Sequence, residues 1–592
     1  MMAAVGAVLS RTGLNAEAAL ERLLEAAPHR GDSTRVLTLG RCTIGVADCQ
    51  GREEATLAST GSLAVAYAGT LDNPDELAHL SGVDGRHPTT PAESVVAAWG
   101  AVGETLPRRL RGTFAVIVTD GSRVWAFRDR VGLETLFYRE DADALYLASE
   151  AKQVLRGADA AREPDLDAVE AIFYGDSEEP ARCALRGVQR LVAGMLLIAG
   201  TGSVVTRPYW DPQSLLETAR LSPAEAAERF RHLLDQAVRR ALTGQDVVSL
   251  SGGIDSPPIA TFAARESVRR WGRPIPALSA VYPSFPESDE SHYIELVAAD
   301  LALPLHTYEP GPQRLERLQY WVELFDSPWS TWSPEGTAER CVHAQRLGIR
   351  TILSGEFAEQ ASAIRAHLVT HLLWKGRFGA AAGQLRSQRA ARLGRRHLAN
   401  EVLDAFTPRL LQARRFRRRP NQFVPPWIDI RRIAERDGNA ARPARKRWAA
   451  AQMPFFGADA TGEADIYSHA LFGIRARRPW ADIDLWEFFL SLPGETKFPD
   501  YRMKGFVRNA LRGDVPDEIL DRRDKTYANR WFETMALDYP TLRHWLSTPS
   551  HQVTGVDYAR LGEQLEREEM PLSHYLWAKD LATVHAFLDL WS

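Results

Sequence analysis

At 592 residues, with 25% charged side chains and a formal net charge of -4, the chain exceeds one hydrophobic core, so two domains are expected with no overall bias toward nucleic acid. Its start, Met1 to Leu9, has no basic leader, and the apolar run 191–198 is too short to span a bilayer, so a cytoplasmic location and no membrane partner are expected. Cys42, Cys49, Cys183 and Cys341 are scattered, which indicates neither a disulfide framework nor a zinc site.

To about residue 210 the pattern is rich in strands. A helix is expected over 16–26, strands over 63–68, 114–118, 123–127 and 144–148, and a helix over 94–99, with turn residues such as Asp120-Gly121 between them. This grammar gives antiparallel hairpins with a few helices packed on them.

The period changes at Leu221. Ser222 offers a hydroxyl cap, Pro223 suits the first helical position and Glu225 stands three residues after the cap, so a long helix begins there. Strands and helices then alternate: a strand from Val247, a helix from Pro257, a strand over 277–282, a helix over 291–301, and strands over 305–308 and 351–353. Such order predicts a parallel, doubly wound sheet whose ligands lie beyond the carboxyl ends of the strands.

The first of these strands runs into Ser249-Leu250-Ser251-Gly252-Gly253-Ile254-Asp255-Ser256. Glycines let backbone N–H groups approach phosphate oxygens, and the following helix presents its positive end, so the stretch reads as a nucleotide-phosphate site rather than an ordinary strand-to-helix turn. Its spacing is neither that of a Walker loop nor G-x-G-x-x-G.

No acidic residue occurs between Gln360 and Asn400, where Arg365, Lys375, Arg377, Arg386, Arg389, Arg392, Arg395 and Arg396 stand, and Arg414-Arg415-Phe416-Arg417-Arg418-Arg419 follows. Trp374, Phe378, Phe423 and Trp427 are interleaved, and Pro425-Pro426 closes the stretch before the helical C-terminal part resumes. A basic, aromatic stripe suits nucleic acid, an acidic peptide or a phosphate-rich cofactor; a solvated helical face is the equal alternative.

The loop S-G-G-x-D-S resembles the pyrophosphatase-type loop of ATP-dependent ligases that pass through an acyl-adenylate. Further matches follow in order: His29-Arg30-Gly31-Asp32, Leu110 to Ala115, Arg128-Asp129-Arg130-Val131-Gly132, Ala148 to Lys152, Ser354-Gly355-Glu356, Arg478-Pro479-Trp480-Ala481-Asp482, Lys504 to Ala510 and Arg522-Arg523-Asp524-Lys525. On these residues nearly the whole chain resembles the asparagine synthetase family. The resemblance implies an α+β N-terminal nucleophile-hydrolase-like sandwich domain over 1–210, glutaminase-like and degenerate. An α/β adenine-nucleotide alpha-hydrolase-like (PP-loop) synthetase domain would follow over 211–592, with a basic insertion at about 361–450.

It also implies ATP and Mg2+ as cofactors of a carbon–nitrogen ligase that releases AMP and pyrophosphate. Ser249, Ser251, Gly252, Gly253 and Ser256 would surround the pyrophosphate, with Ser279, Ser354 and Gly355 completing the nucleotide site. Asp255 and Glu359 would hold magnesium. Glu356 would accept a proton from the attacking amine or orient it, and Lys525 would stabilise the negative charge that develops as the amine attacks.

Several positions depart from the family pattern. The N-terminal cysteine that would attack glutamine is replaced by Met2, whose thioether cannot form a thioester. The glutamine-binding turn reads Ala68-Gly69-Thr70, and the aspartate for the substrate amine reads Pro91. Cys42 and Cys49 are expected to be small buried thiols rather than substitute nucleophiles. Phe357 replaces a glycine, Glu359 an aspartate and Arg475 a glutamate.

The glutaminase is therefore expected to be inactive and the amine to come from the substrate. Branches with this loss include β-lactam-forming synthetases and lasso-peptide cyclases. The chain's length and its insertion favour the second, a macrolactam-forming ligase in natural-product biosynthesis that would require a precursor peptide and its leader peptidase. An ammonia- or amine-dependent amide synthetase on a small metabolite, and a non-catalytic partner protein, remain alternatives; a nucleic-acid role is not expected from the acidic total.

Overall fold

A computed structural model describes residues 3–49, 54–82, 89–175, 179–200, 202–330, 334–390, 394–407, 423–436, 443–453, 460–500, 502–523, 526 and 528–591. Met2, Arg392, the arginine run at 414–419, Asp524 and Lys525 lie outside these residues.

Up to residue 210 the chain forms β1 (Ala4–Ser10), β2 (Ser33–Leu39), β3 (Cys42–Asp48), β4 (Ala55–Ser59), β5 (Ala64–Leu71), β6 (Gly112–Thr119), β7 (Val124–Arg128), β8 (Phe137–Glu140), β9 (Ala144–Ala148), β10 (Gln189–Arg190), β11 (Met195–Ala199) and β12 (Val205–Pro208). They make two six-stranded sheets, ordered β10-β8-β9-β1-β3-β2 and β12-β11-β7-β6-β5-β4. Alternation decides the layers. Val5, Ala7 and Leu9 of β1 meet Ala64, Ala66 and Ala68 of β5 between the sheets. The opposite faces take helices: Ala4 and Val8 lie under Leu20 and Leu23 of the helix Ala16–Glu25, and Val65 and Tyr67 under Val95 and Trp99 of the helix Pro91–Val102. The result is the expected sandwich, with helices outside both sheets.

Strands β1 and β3 were absent from the predicted elements because their alanines and glycines carry little strand signal. The packing explains the small residues. A Cβ on Gly6 would stand 2.7 Å from Leu23 Cδ2, so the helix can seat this close only over glycine. Cys42 is buried as a thiol in that core, its ionisation pushed up to about 12 by burial. Cys49 is half-buried.

Beyond residue 220 the capping box forms as read, with Ser222 and Glu225 bonded reciprocally at the start of the helix Pro223–Ala241. Strands β13 (Asp246–Ser249), β14 (Ala277–Ala280), β15 (Leu305–Tyr308), β16 (Thr351–Leu353) and β17 (Arg475–Arg477) form one parallel sheet, ordered β15-β14-β13-β16-β17. The strand expected to reach Tyr282 stops at Ala280, and the chain turns where the Tyr282 backbone N–H donates to Asp289 Oδ1 at 2.8 Å. The short polar β17 had no signal in the sequence.

The described part of the basic stretch is helical, with Leu368–Trp374, Phe378–Ala390 and Arg395–Phe406 packed on one another. Lys375, Arg377, Arg386, Arg389, Arg395 and Arg396 are exposed, as a solvated face requires. Among the described residues no helix is long and apolar enough to cross a membrane.

Buried charge joins the two halves. Glu150 accepts from His29 Nε2 at 2.6 Å, Arg30 Nε at 2.5 Å and Lys152 Nζ at 3.0 Å. Arg30 in turn stacks 5.0 Å from the Tyr467 ring, and the Lys152 backbone N–H donates to Asp326, both partners lying in the second half. Arg477 reaches back to Asp72 at 2.7 Å, Arg130 to Glu487 at 3.0 Å, and Arg190 pairs with Glu463.

Burial alone pushes the Glu150 carboxyl up, but the His29, Lys152 and Arg30 charges outweigh it and hold it well below the ordinary range. A group depressed on folding contributes stability that is complete above its unfolded value, about 4.3, and drains away as pH falls. Glu150→Gln is expected to cost about 3–5 kcal/mol at pH 7 and to flatten the loss of stability below about pH 4, read by denaturant melts at both pH values.

Candidate active site

Strands β13, β14 and β16 deliver their carboxyl ends to one cavity of about 960 Å³. Of the residues singled out in the sequence, Ser249, Ser251, Asp255, Ser256, Ser354, Gly355, Glu356 and Glu359 line it. The two loops touch at their backbones: a Cβ on Gly355 would stand 2.6 Å from the Asp255 carbonyl carbon and 2.7 Å from Ser256 N. The Ser251 backbone N–H donates to Ser256 Oγ at 2.8 Å, closing the turn on itself.

Some expected contributors are placed otherwise. Gly252 turns away from the cavity, where its N–H donates to Glu290 Oε2 at 3.1 Å and a Cβ would stand 2.9 Å from that of Tyr293. Gly253 is not on the cavity wall either. Ser279 is buried within β14; strand alternation gives the wall to Ala280 instead.

The helix Ser256–Trp271 also offers less to an anion than the sequence reading supposed. Its second and third residues are Pro257 and Pro258, which have no N–H to donate. Positive charge comes from elsewhere. Lys504, 2% exposed, pairs with Asp255 Oδ1, and Arg522 donates to the Gly252 carbonyl and to Glu290, both at 2.7 Å. Both residues stand in stretches that carried the family resemblance, yet only Lys525 was singled out there.

Glu356 receives Arg478 Nε at 2.6 Å and has Arg340 at 3.6 Å, while Arg478 also pairs with Asp465. Burial pushes the Glu356 carboxyl up, but the Arg478 and Arg340 guanidiniums outweigh it and hold it below the ordinary range. A carboxylate so held is a poor proton acceptor. Phe357 takes the left-handed backbone of the glycine it replaces, at φ 71°, with its ring 6.2 Å from that of Trp486.

Arg475 does not reach the cavity. It pairs with Glu54 of the N-terminal domain at 3.3 Å, which accounts for its reversed charge. Pro91 likewise serves structure, starting the helix Pro91–Val102 between Thr90 and Glu93 of a capping box.

The donor set suits a metal-bound nucleotide triphosphate. Magnesium takes one or two protein carboxylates and completes its shell with phosphate oxygens and water, and Asp255 and Glu359 supply two carboxylates on one wall. Among the described residues the buried hydroxyls of Ser279 and Ser354 have no hydrogen-bond partner.

Residues 229–592 match the family described as asparagine synthase, and residues 2–210 match the glutamine amidotransferase domain. The chain belongs to the asparagine synthase family. It is 23% identical over 588 residues to asparagine synthetase [glutamine-hydrolyzing] 3 of Bacillus subtilis (strain 168), covering 93% of this chain and 90% of that one. Carboxyethyl-arginine beta-lactam-synthase of Streptomyces clavuligerus is 31% identical over 202 residues, or 33% of this chain and 37% of that one. A solved glutamine phosphoribosylpyrophosphate amidotransferase from B. subtilis is 13% identical over 52% of this chain and 82% of its own, with a TM-score of 0.27. The chain thus joins an N-terminal glutamine amidotransferase domain to a C-terminal asparagine synthase domain, the latter from a family of ATP-dependent amide-forming ligases.

Gly355→Ala is expected to destabilise the fold by about 1–3 kcal/mol and to weaken Mg-ATP binding by about tenfold or more, read by calorimetry. Gly562→Ala, inside the helix Tyr558–Arg567 where an added Cβ meets nothing within 4 Å, is the control and should leave Mg-ATP binding unchanged without destabilising the fold.

Proposed function

We propose that this protein adenylates a carboxylate with ATP and couples it to an amine supplied by the same substrate, closing a macrolactam on a peptide. The observation that carries the reading is the single cavity of about 960 Å³ in which the phosphate loop, Asp255, Glu356 and a wide second half meet. Ligand pockets span about 300–1,000 Å³, and this one stands at the upper end of that range. The phosphate loop would work in the PP-loop manner.

The substrate carboxylate attacks the α-phosphorus and pyrophosphate leaves; the amine then attacks the acyl carbon, the C–N bond forms and AMP leaves. Asp255 and Glu359 would hold magnesium, which neutralises phosphate charge. Lys504 and Arg522 offset the charge of the leaving pyrophosphate, Glu356 orients the amine, and Lys525 stabilises the tetrahedral oxyanion. Holding both reacting ends in one cavity supplies effective concentration.

An inactive glutaminase fits the same reading. Between the Gly69-Thr70 turn and Arg475 to Arg478 the domain junction leaves about 10 Å³, room for about one water, with Arg475–Glu54 and Arg477–Asp72 pairs across the seam. A precursor peptide and its leader peptidase are the partners this reading requires. The β-lactam-synthase relative favours a second reading, ring closure on a small molecule.

The test is ATP–pyrophosphate exchange with peptides carrying an internal Asp or Glu beside small carboxylates. Peptide-dependent exchange is expected, with Lys525→Ala keeping exchange while amide formation falls about 10²–10³-fold and no glutamate is released from glutamine. Exchange with small acids alone would select the second reading. No exchange and no Mg-ATP binding would leave a non-catalytic partner.

A further inference from the structure

Besides the phosphate loop, the cavity is lined by an aromatic portion made of six rings. Tyr282 and Tyr308 stand at the ends of the segments leaving β14 and in β15, Phe325 and Trp329 at and after the end of the helix Leu318–Phe325, and Trp531 and Phe532 in the helix Asn529–Met535. They brace one another edge-on, with Tyr282 and Trp531 centroids 5.6 Å apart and those of Phe325 and Trp329 5.3 Å apart. Phe325, Trp329 and Trp531 are almost wholly covered by the fold behind them, whereas Tyr282, Tyr308 and Phe532 remain half-buried and give the wall its accessible surface.

Phosphate recognition does not require these rings, since the loop hydroxyls serve it, with Lys504 beside them on Asp255 and Arg522 on the Gly252 carbonyl. A preformed aromatic wall gains by burying an apolar group and loses little ordering entropy in doing so. Two features restrict the ligand further. Burial pushes the Tyr308 phenol up to about 12, so it stays a neutral hydroxyl, and neither it nor the Tyr282 hydroxyl makes a hydrogen bond among the described residues. Gln313 adds an amide to the same wall. Phenols and an amide between rings match a peptide backbone with a large side chain; a plain hydrocarbon acid would leave them unpaired.

We propose that this aromatic portion is the acceptor pocket, and that it selects a carboxylate borne on a peptide in which an aromatic or bulky aliphatic residue adjoins the acidic one. The identity of the carboxylate as the reacting group rests on the ligase reading; the preference for the flanking side chain is a property of binding alone.

The experiment is calorimetry on the full chain with a non-hydrolysable ATP analogue and two hexapeptides that differ only in Phe or Ser beside one Glu. The Phe peptide is expected to bind on the order of tenfold tighter. Tyr282→Ala and Phe532→Ala, both at half-buried positions, are each expected to bring that ratio toward one, with unchanged binding of the ATP analogue reporting an intact fold. Equal affinity of the two peptides, no binding of either, or variants that keep the ratio would overturn the proposal. A ratio that collapses in the variants, in a protein that shows no pyrophosphate exchange, would uphold the pocket and remove the ligase reading instead.

Discussion

The close approach of the Gly355 backbone to the Asp255-Ser256 peptide is the constraint on which the rest of the site depends. At 2.6 Å from a would-be Cβ to the Asp255 carbonyl carbon, only hydrogen fits. The approach is possible because β13 and β16 are parallel neighbours, with Val248 opposite Leu353, and both loops leave the sheet side by side. Trp480 fixes the first loop from another direction, its indole N–H donating to the Asp255 carbonyl at 2.9 Å. Backbone contact, rather than the choice of rotamer, therefore sets where Asp255 stands relative to Glu356.

Charges around this framework are paired before any ligand arrives. Asp255 has Lys504, Glu356 has Arg478 and Arg340, and Asp465 shares Arg478. Pairs of this kind, with a buried cation and a half-buried carboxylate, add little net stability but leave the cation uncompensated when broken, so they fix geometry. Strand β17 links them to the other domain. Arg475 and Arg477, two residues apart, share one side and reach Glu54 and Asp72, while Arg478, one residue on, turns into the cavity.

What the sequence disclosed depended on how local each signal was. The Ser222-Pro223-Glu225 cap and the apolar runs of β13 and β16 are short-range patterns, and each stands where it was expected, as does the more polar β15. Strands β1 and β3 were illegible because the helix above them demands glycine and alanine, which erase the alternation of bulky residues. Within the site, the loop carboxylate and serines were readable from their motif. The cations that balance them were not: Lys504 and Arg522 come from segments about 250 residues further on, and only the fold brings them to Asp255 and Gly252. The loss of helix donors was readable in principle, since Pro257-Pro258 states it outright.

Among the described residues strand β17 is the last in its sheet, and its outer edge has no neighbouring strand. An uncovered edge offers unpaired amides and carbonyls to any other chain with a free strand of its own. Beside that edge the N-terminal domain holds the strand's Arg475 and Arg477 side chains through Glu54 and Asp72. Removing the first two hundred residues would leave the synthetase half with an adhesive border, open to self-association. Selection against aggregation would then hold the N-terminal domain in place whether or not it carried out any chemistry.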